Sequence, residues 1–288
     1  MSFDQTVHFP SGNHRLAANL YVPGNKAPAP VVVVSHGAGG WKEDLEPLCE
    51  ILSGAGYAAL SVDMSGHGES EGPRWYLDMS QWCRDLSAAI DYAESRADLD
   101  TSRLAIWGFS SGGTAMYEAA LKDSRIKILM GLGATISSQG LPWGARWVLG
   151  TLHAAGKIKK KLTGRDLRLD IHPVIQRGVV VSDPALNLIC LNDARTLEPY
   201  RDFPFPGGSQ GWFIDTYRRI HQINVPTLIM WGGADDLDPV SSAHQTDRLL
   251  QCEKKLVIIE GNGHIGYRDI HQAEVFAATL AWLETHIR

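Results

Sequence analysis

The stretch from Arg103 to Leu121, RLAIWGFSSGGTAMYEAAL, constrains the fold more than any other part of the chain. Residues 104–107 form a short apolar run suited to a buried strand, and a helical pattern opens at Ser111. Between them, Gly108-Phe109-Ser110-Ser111-Gly112 must turn the chain sharply. Side chains on the inside of such a corner would clash, which is the mechanical reason for glycine there. A serine at the apex of a G-x-S-x-G corner has its hydroxyl lifted above the end of a sheet, so Ser110 is the candidate nucleophile.

The same spacing occurs around Ser70 (Gly68 to Gly72) and Ser209 (Gly207 to Gly211). Ser70 lies in the polar run GHGESEGP, which leads into Pro73 and not into a helix. Ser209 follows FPFPGG, whose prolines exclude a central strand. Context selects Ser110.

With 288 residues, 44% hydrophobic and 20% charged, the chain fits one globular domain with room for an inserted subdomain. A net charge of −5 gives no electrostatic footprint for nucleic acid. The opening MSFDQTVHFPSG lacks the basic and apolar regions of a signal peptide, and no apolar stretch reaches membrane-spanning length. The expectation is a soluble, cytoplasmic protein. Cys49, Cys83, Cys190 and Cys252 are scattered and read as free thiols, and no His/Cys spacing suggests a metal. No cofactor is expected.

Along the chain, residues 6–9 and 17–22 read as strands joined through Ser11-Gly12-Asn13. Val31-Val32-Val33-Val34 has the continuous β-branched character of a strand buried on both faces. A helix over 44–54, a strand over 58–62, a helix over 80–96 capped by Ser80, the Ser110 corner and a strand over 126–132 follow. Strand-helix alternation of this kind predicts a mostly parallel sheet flanked by helices. It breaks from 134 to 224, a stretch rich in aromatics, and resumes with strands over 227–231 and 256–259 and helices over 241–250 and 270–286. Residues 1–133 and 225–288 are therefore expected to form the core, and 134–224 a cap (lid) laid over the strand ends.

A serine hydroxyl needs a positioned base, and the base needs a third group to hold its tautomer. In a sheet with such a corner the partners follow in the order acid, then histidine. Gly232-Gly233-Ala234-Asp235-Asp236-Leu237-Asp238-Pro239 supplies three carboxylates after a strand. Asp235 is nearest the strand end and is preferred, with Asp236 next; Asp238 before proline suits a turn. Among eleven histidines, His264 alone follows a terminal strand across a Gly-rich turn, Glu260-Gly261-Asn262-Gly263. The oxyanion hole needs two backbone N–H groups. Ser111, at a helix N-terminus, and Ala38, in the loop after the valine strand, are the candidates. His36 and His67, each before a glycine in a tight turn, read as loop braces.

The set SHGAGG, SVDMSGHGESEG, WGFSSGG, WGGADDLDP and EGNGH resembles the α/β-hydrolase superfamily, and is most similar to its capped branch of monoacylglycerol lipases, serine aminopeptidases and bacterial esterases. The layout is also similar, more weakly, to esterases that open macrolide lactones. The resemblance covers nearly the whole chain except residues 134–224. It implies an α/β-hydrolase fold, a triad of Ser110, Asp235 and His264, oxyanion donors at Ala38 and Ser111, and hydrolysis of a small-molecule ester or lactone. A peptidase, thioesterase or acyltransferase on the same triad, and a non-catalytic binding protein on the same scaffold, are the rival readings. Trp75, Tyr76, Trp143, Trp147, Trp212 and Phe213 are the candidate substrate-binding aromatics. The lysines from Lys157 to Lys161 are read as a solvated helix face in preference to a contact for an anionic substrate or a membrane surface.

Overall fold

The computed structural model describes residues 5–24, 28–137 and 143–287. An antiparallel pair opens it, β1 (Gln5–Ser11) and β2 (His14–Tyr21), turning through Gly12 at φ 59°. The valine run lies in β3 (Ala29–Ser35). A single 3-10 turn, Lys42–Leu45, leads into α1 (Glu46–Gly54), followed by β4 (Ala58–Val62), α2 (Met79–Glu94), β5 (Leu99–Phe109), α3 (Ser111–Ala120) and β6 (Ile128–Leu132).

The next stretch holds α4 (Trp143–Thr163), β7 (Leu167–Leu169), α5 (His172–Ile175), α6 (Pro184–Asn192), α7 (Ala194–Arg201) and β8 (Phe203–Phe205). After it come β9 (Thr227–Gly232), α8 (Val240–Leu249), β10 (Lys254–Ile259) and α9 (Gln272–His286). The main sheet has eight strands in the order β1-β2-β4-β3-β5-β6-β9-β10, while β7 and β8 form a separate antiparallel pair. β2 runs antiparallel to β1 and β4; every other neighbouring pair in the main sheet is parallel.

The valine strand shows why the sheet is covered on both sides. Val31 and Val33 point into one core with Trp82 and Leu86 of α2 and Met116 of α3. Val32 and Val34 point into the other, with Leu48 and Leu52 of α1 and Val275 of α9. Alternation along one strand thus serves two apolar layers, each excluding water.

Two local expectations are corrected. The N-cap of α2 is Asp78, whose carboxylate accepts the N–H of Gln81; Ser80 already lies inside the helix. β5 begins at Leu99, ahead of the apolar run, because it pairs with β3 from Ala29 through an irregularity at Pro30/Val31.

The stretch between β6 and β9 has a small core of its own, Val180, Val181, Cys190 and Leu191, with Ile265 packed against it. It is tied to the loop after β10: Ile265 N–H donates to the Val180 carbonyl at 2.8 Å, and Ser182 donates to Asp269 through both N–H and Oγ at 2.8 Å. The four cysteines are free thiols. Among the described residues, no helix is long and apolar enough to cross a membrane.

Candidate active site

Ser110 joins β5 to α3 with φ 49° and ψ −119°, a strained backbone for a residue with a side chain. The corner is held by close packing. A Cβ on Gly112 would lie 2.3 Å from the His36 carbonyl oxygen, and one on Gly113 would lie 2.4 Å from Ala134 Cβ. The Ser110 N–H donates to the Leu132 carbonyl at 2.9 Å, tying the apex to the end of β6.

His264, in the loop after β10, faces this apex. Its Nε2 is 3.1 Å from Ser110 Oγ, and its Nδ1 is 2.8 Å from Asp235 Oδ2. The other oxygen of Asp235 accepts the N–H groups of Leu237 and Asp238 at 3.0 and 2.8 Å. The carboxylate is buried and engaged through both oxygens, an arrangement that favours Nδ1–H as the donor and leaves Nε2 facing Ser110 Oγ as an acceptor. Asp236, the other carboxylate weighed for this position, is exposed. Burial works to lower the pKa of His264, but the charge and hydrogen bond of Asp235, with Asp238 behind, raise it above the ordinary imidazole value. Asp238 accepts a hydrogen bond from Thr135 Oγ1, and burial pushes its pKa up to about 6.

Ser110 and His264 open on a cavity of about 290 Å³, which Ala38 and Ser111 also line. Ser111 is the first residue of α3, where N–H groups lack intrahelical acceptors and the helix dipole is positive. The loop bearing Ala38 is anchored by His36, whose Nδ1 donates to the Gly37 carbonyl at 2.7 Å and whose Nε2 accepts the Met64 N–H at 3.1 Å. His67 packs beside it with its ring tilted, the two centroids 5.2 Å apart. Both histidines are braces, as their setting suggests.

Of the six aromatics proposed from sequence, Trp212 lines this cavity and the other five do not. Trp75 is buried edge-on to His67 at 5.2 Å with Arg74 over its face. Tyr76 donates its hydroxyl proton to Asp166 and accepts from Lys160 Nζ at 2.6 Å. Phe213 packs on the ring of His153. Trp143 and Trp147 are 80% and 67% exposed on α4. Aromatic content alone does not separate a cavity wall from a brace or an outer face.

The walls are built mainly of residues the sequence did not single out. Leu149, Val180 and Leu191 give an apolar side. Tyr267, Arg268 and Asp44 give a polar one, with Arg268 Nη2 2.8 Å from Asp44 Oδ1. Burial pushes the Asp44 pKa up to about 6 against the pull of Arg268. Tyr267 and Arg268 follow His264 in the same loop, a nearness in sequence that could have flagged them. The remaining G-x-S-x-G serines serve structure: Ser70 Oγ donates to the Asp63 carbonyl at 2.5 Å, and Ser209 Oγ is bonded to His153 Nδ1 at 2.8 Å. Among the described residues, no group of three or more His, Cys, Asp or Glu side chains is arranged to hold a metal ion.

Comparison with known proteins places the chain in a family. The model for serine aminopeptidase, S33, matches residues 26–269. The quorum-quenching protein AidA of Acinetobacter baumannii is 38% identical over 122 residues, 42% of this chain and 40% of that protein. The matches to the first curated relatives span 40 to 58% of those proteins' lengths. The solved structure of the DcsB complex with its substrate analogue superposes with a TM-score of 0.82 at 20% identity, covering 99% of this chain and 100% of that one. The monoacylglycerol lipase of Paleococcus ferrophilus does so at 0.73 and 20% identity, covering 94% and 99%. The eight-stranded, mostly parallel sheet flanked by helices is the α/β-hydrolase fold. The chain belongs to the serine aminopeptidase S33 family of α/β-hydrolases.

Proposed function

We propose that this protein is a serine hydrolase that cleaves a carboxylic ester, lactones included, through an acyl-enzyme. The observation that carries the reading is the unbroken hydrogen-bonded chain from Ser110 Oγ through His264 to buried Asp235, opening on a largely apolar cavity.

In this reading Ser110 Oγ attacks the substrate carbonyl carbon while His264 Nε2 takes the hydroxyl proton. Asp235, hydrogen-bonded to Nδ1, steadies the imidazolium. The N–H groups of Ala38 and Ser111 receive the oxyanion. Collapse of the tetrahedral species breaks the bond to the leaving oxygen, which takes the proton from His264. A water deprotonated by His264 then attacks the acyl carbon and frees the acid and Ser110. With a lactone the leaving alcohol stays attached, and the product is one hydroxy acid. The chain's own groups complete the cycle without a cofactor. Residues 134–224 act as a cap over a core of 1–133 and 225–288, and supply the apolar wall that selects substrate.

An ester is favoured over an aminopeptidase substrate by the state of the cavity's carboxylates. A peptide's free ammonium group needs an available acid, but Asp44 is paired with Arg268 and Asp238 accepts from Thr135. The name of the monoacylglycerol lipase neighbour agrees with ester chemistry.

The test is hydrolysis of p-nitrophenyl esters from acetate to long acyl chains by wild type and Ser110→Ala. The expected outcome is turnover with an optimum at short to medium chains, given the size of the cavity, and loss of activity in the folded variant. A comparable rate in pure Ser110→Ala protein would overturn the assignment. An added alcohol or amine that captures most of the acyl group would make the protein an acyltransferase instead.

A further inference from the structure

Among the described residues one face of α4 has no partner, and its composition is unusual. The helix carries Arg146, Lys157, Lys159, Lys160 and Lys161 and no acidic residue, in a chain whose net charge is −5. Subtracting those five positive charges leaves −10 on the rest of the molecule. Charge is therefore segregated onto this helix.

Apolar exposure is segregated with it. Trp143, Trp147, Ile158 and Leu162 are 80%, 67%, 61% and 77% exposed. At about 100° per residue they fall on one side of the helix. The opposite side is spoken for: His153 and Gly156 are buried, Gly156 against Phe205, and Lys160 reaches Tyr76 and Asp166. The outer stripe is edged by Arg146, Lys157 and Lys161 on one flank and Lys159 on the other. A shallow groove runs along it between Trp147 and Ile158.

From this pattern we infer that α4 docks the protein on an anionic lipid surface, with the Trp143–Trp147–Ile158–Leu162 stripe in the interface and the flanking basic residues on lipid phosphates. Tryptophan and aliphatic side chains on one face, with lysines and arginine at its edges, suit the boundary between headgroups and acyl chains. Cationic groups gain from the negative surface potential, whereas the acidic remainder of the molecule is repelled, which fixes the orientation. A second copy of the chain fits this face less well. A two-fold contact on the stripe would set two basic, acid-free helices against each other, with nothing on α4 to neutralise them. Leu149, on the inner side of the same helix, lines the cavity of Ser110, so docking brings that cavity near the lipid boundary. The inference concerns binding and is independent of whether Ser110 hydrolyses esters.

Co-sedimentation of the full chain with vesicles tests it, using phosphatidylcholine alone and phosphatidylcholine with 30% phosphatidylglycerol as a rough starting composition. Binding is expected to the anionic vesicles, weakened by salt, with a blue shift of tryptophan emission. The variant Lys157→Gln/Lys159→Gln/Lys161→Gln is expected to bind on the order of a hundredfold more weakly. Ile158→Asp should also lose binding. All four positions are exposed, and circular dichroism establishes that each variant is folded. Absence of binding to anionic vesicles, equal binding by the lysine variant, or a stable homodimer that Ile158→Asp dissociates would each overturn the inference.

Discussion

Asp235 and His264 are joined at 2.8 Å inside the protein, while Asp236, one residue on, points to solvent. Two adjacent carboxylates of the same chemistry therefore have opposite consequences. Asp235→Asn would leave a neutral partner on Nδ1 and favour the wrong tautomer, and is expected to lower kcat by about 10⁴-fold. Asp236→Asn is expected to stay within about twofold of wild type, as a solvated surface change does. Ester turnover by both variants, with their Tm values measured alongside, checks the assignment.

The pH profile follows from the raised pKa of His264. The base acts when neutral, so kcat/KM should fall on the acid side with a midpoint above about 6.5, the ordinary imidazole value. In Asp238→Asn one of the charges that raises this pKa is gone, and the midpoint should move down. Rates measured from pH 5 to 9 for wild type and this variant test the sign; an upward shift would contradict it.

The corner under Ser110 leaves no room for a methyl group. A Cβ at Gly112 would meet backbone, the His36 carbonyl oxygen, at 2.3 Å. Gly112→Ala is therefore expected to cost about 1–3 kcal/mol by overpacking and to lower Tm. Gly144→Ala, where a Cβ meets nothing within 4 Å, is the matched control. Thermal unfolding of the two variants under the same conditions decides it.

Leu149 and Leu191 stand in the apolar wall of the cavity. Leu149→Trp should shorten the preferred acyl chain, and Leu191→Ala should lengthen it, each detectable as a shift in the chain-length optimum of kcat/KM. Changes in rate without a shift in the optimum would show that the wall does not contact the acyl group.

The core of this fold was legible because its signals are local. The valine strand, the strand-turn-helix around Ser110 and the Gly-rich loops before Asp235 and His264 each state their geometry within a few residues. Chain order and placement after strand ends together point to Ser110, Asp235 and His264, whose side chains meet over separations of 154 and 29 residues. The stretch between β6 and β9 was not legible in this way. Its helices are short, apart from α4, and its apolar side chains divide among a small core, a cavity wall and an open face. No periodicity distinguishes Trp212 in the cavity from Trp147 on the outside, because each destination wants an aromatic for a different reason. Trp75 and Tyr76 lie away from the cavity for the same reason: their surroundings come from residues far away in sequence.

The clamp formed by His36 has a consequence for how this protein meets acid. Burial lowers the pKa of His36, whereas Asp235 raises that of His264, so the two are displaced to opposite sides of the ordinary imidazole value. As pH falls His264 therefore takes up its proton before His36, which while neutral keeps its bonds to Gly37 and Met64. Loss of the base in mild acid is therefore expected to be reversible, with the loop that carries Ala38 still pinned by His36 when the proton leaves His264.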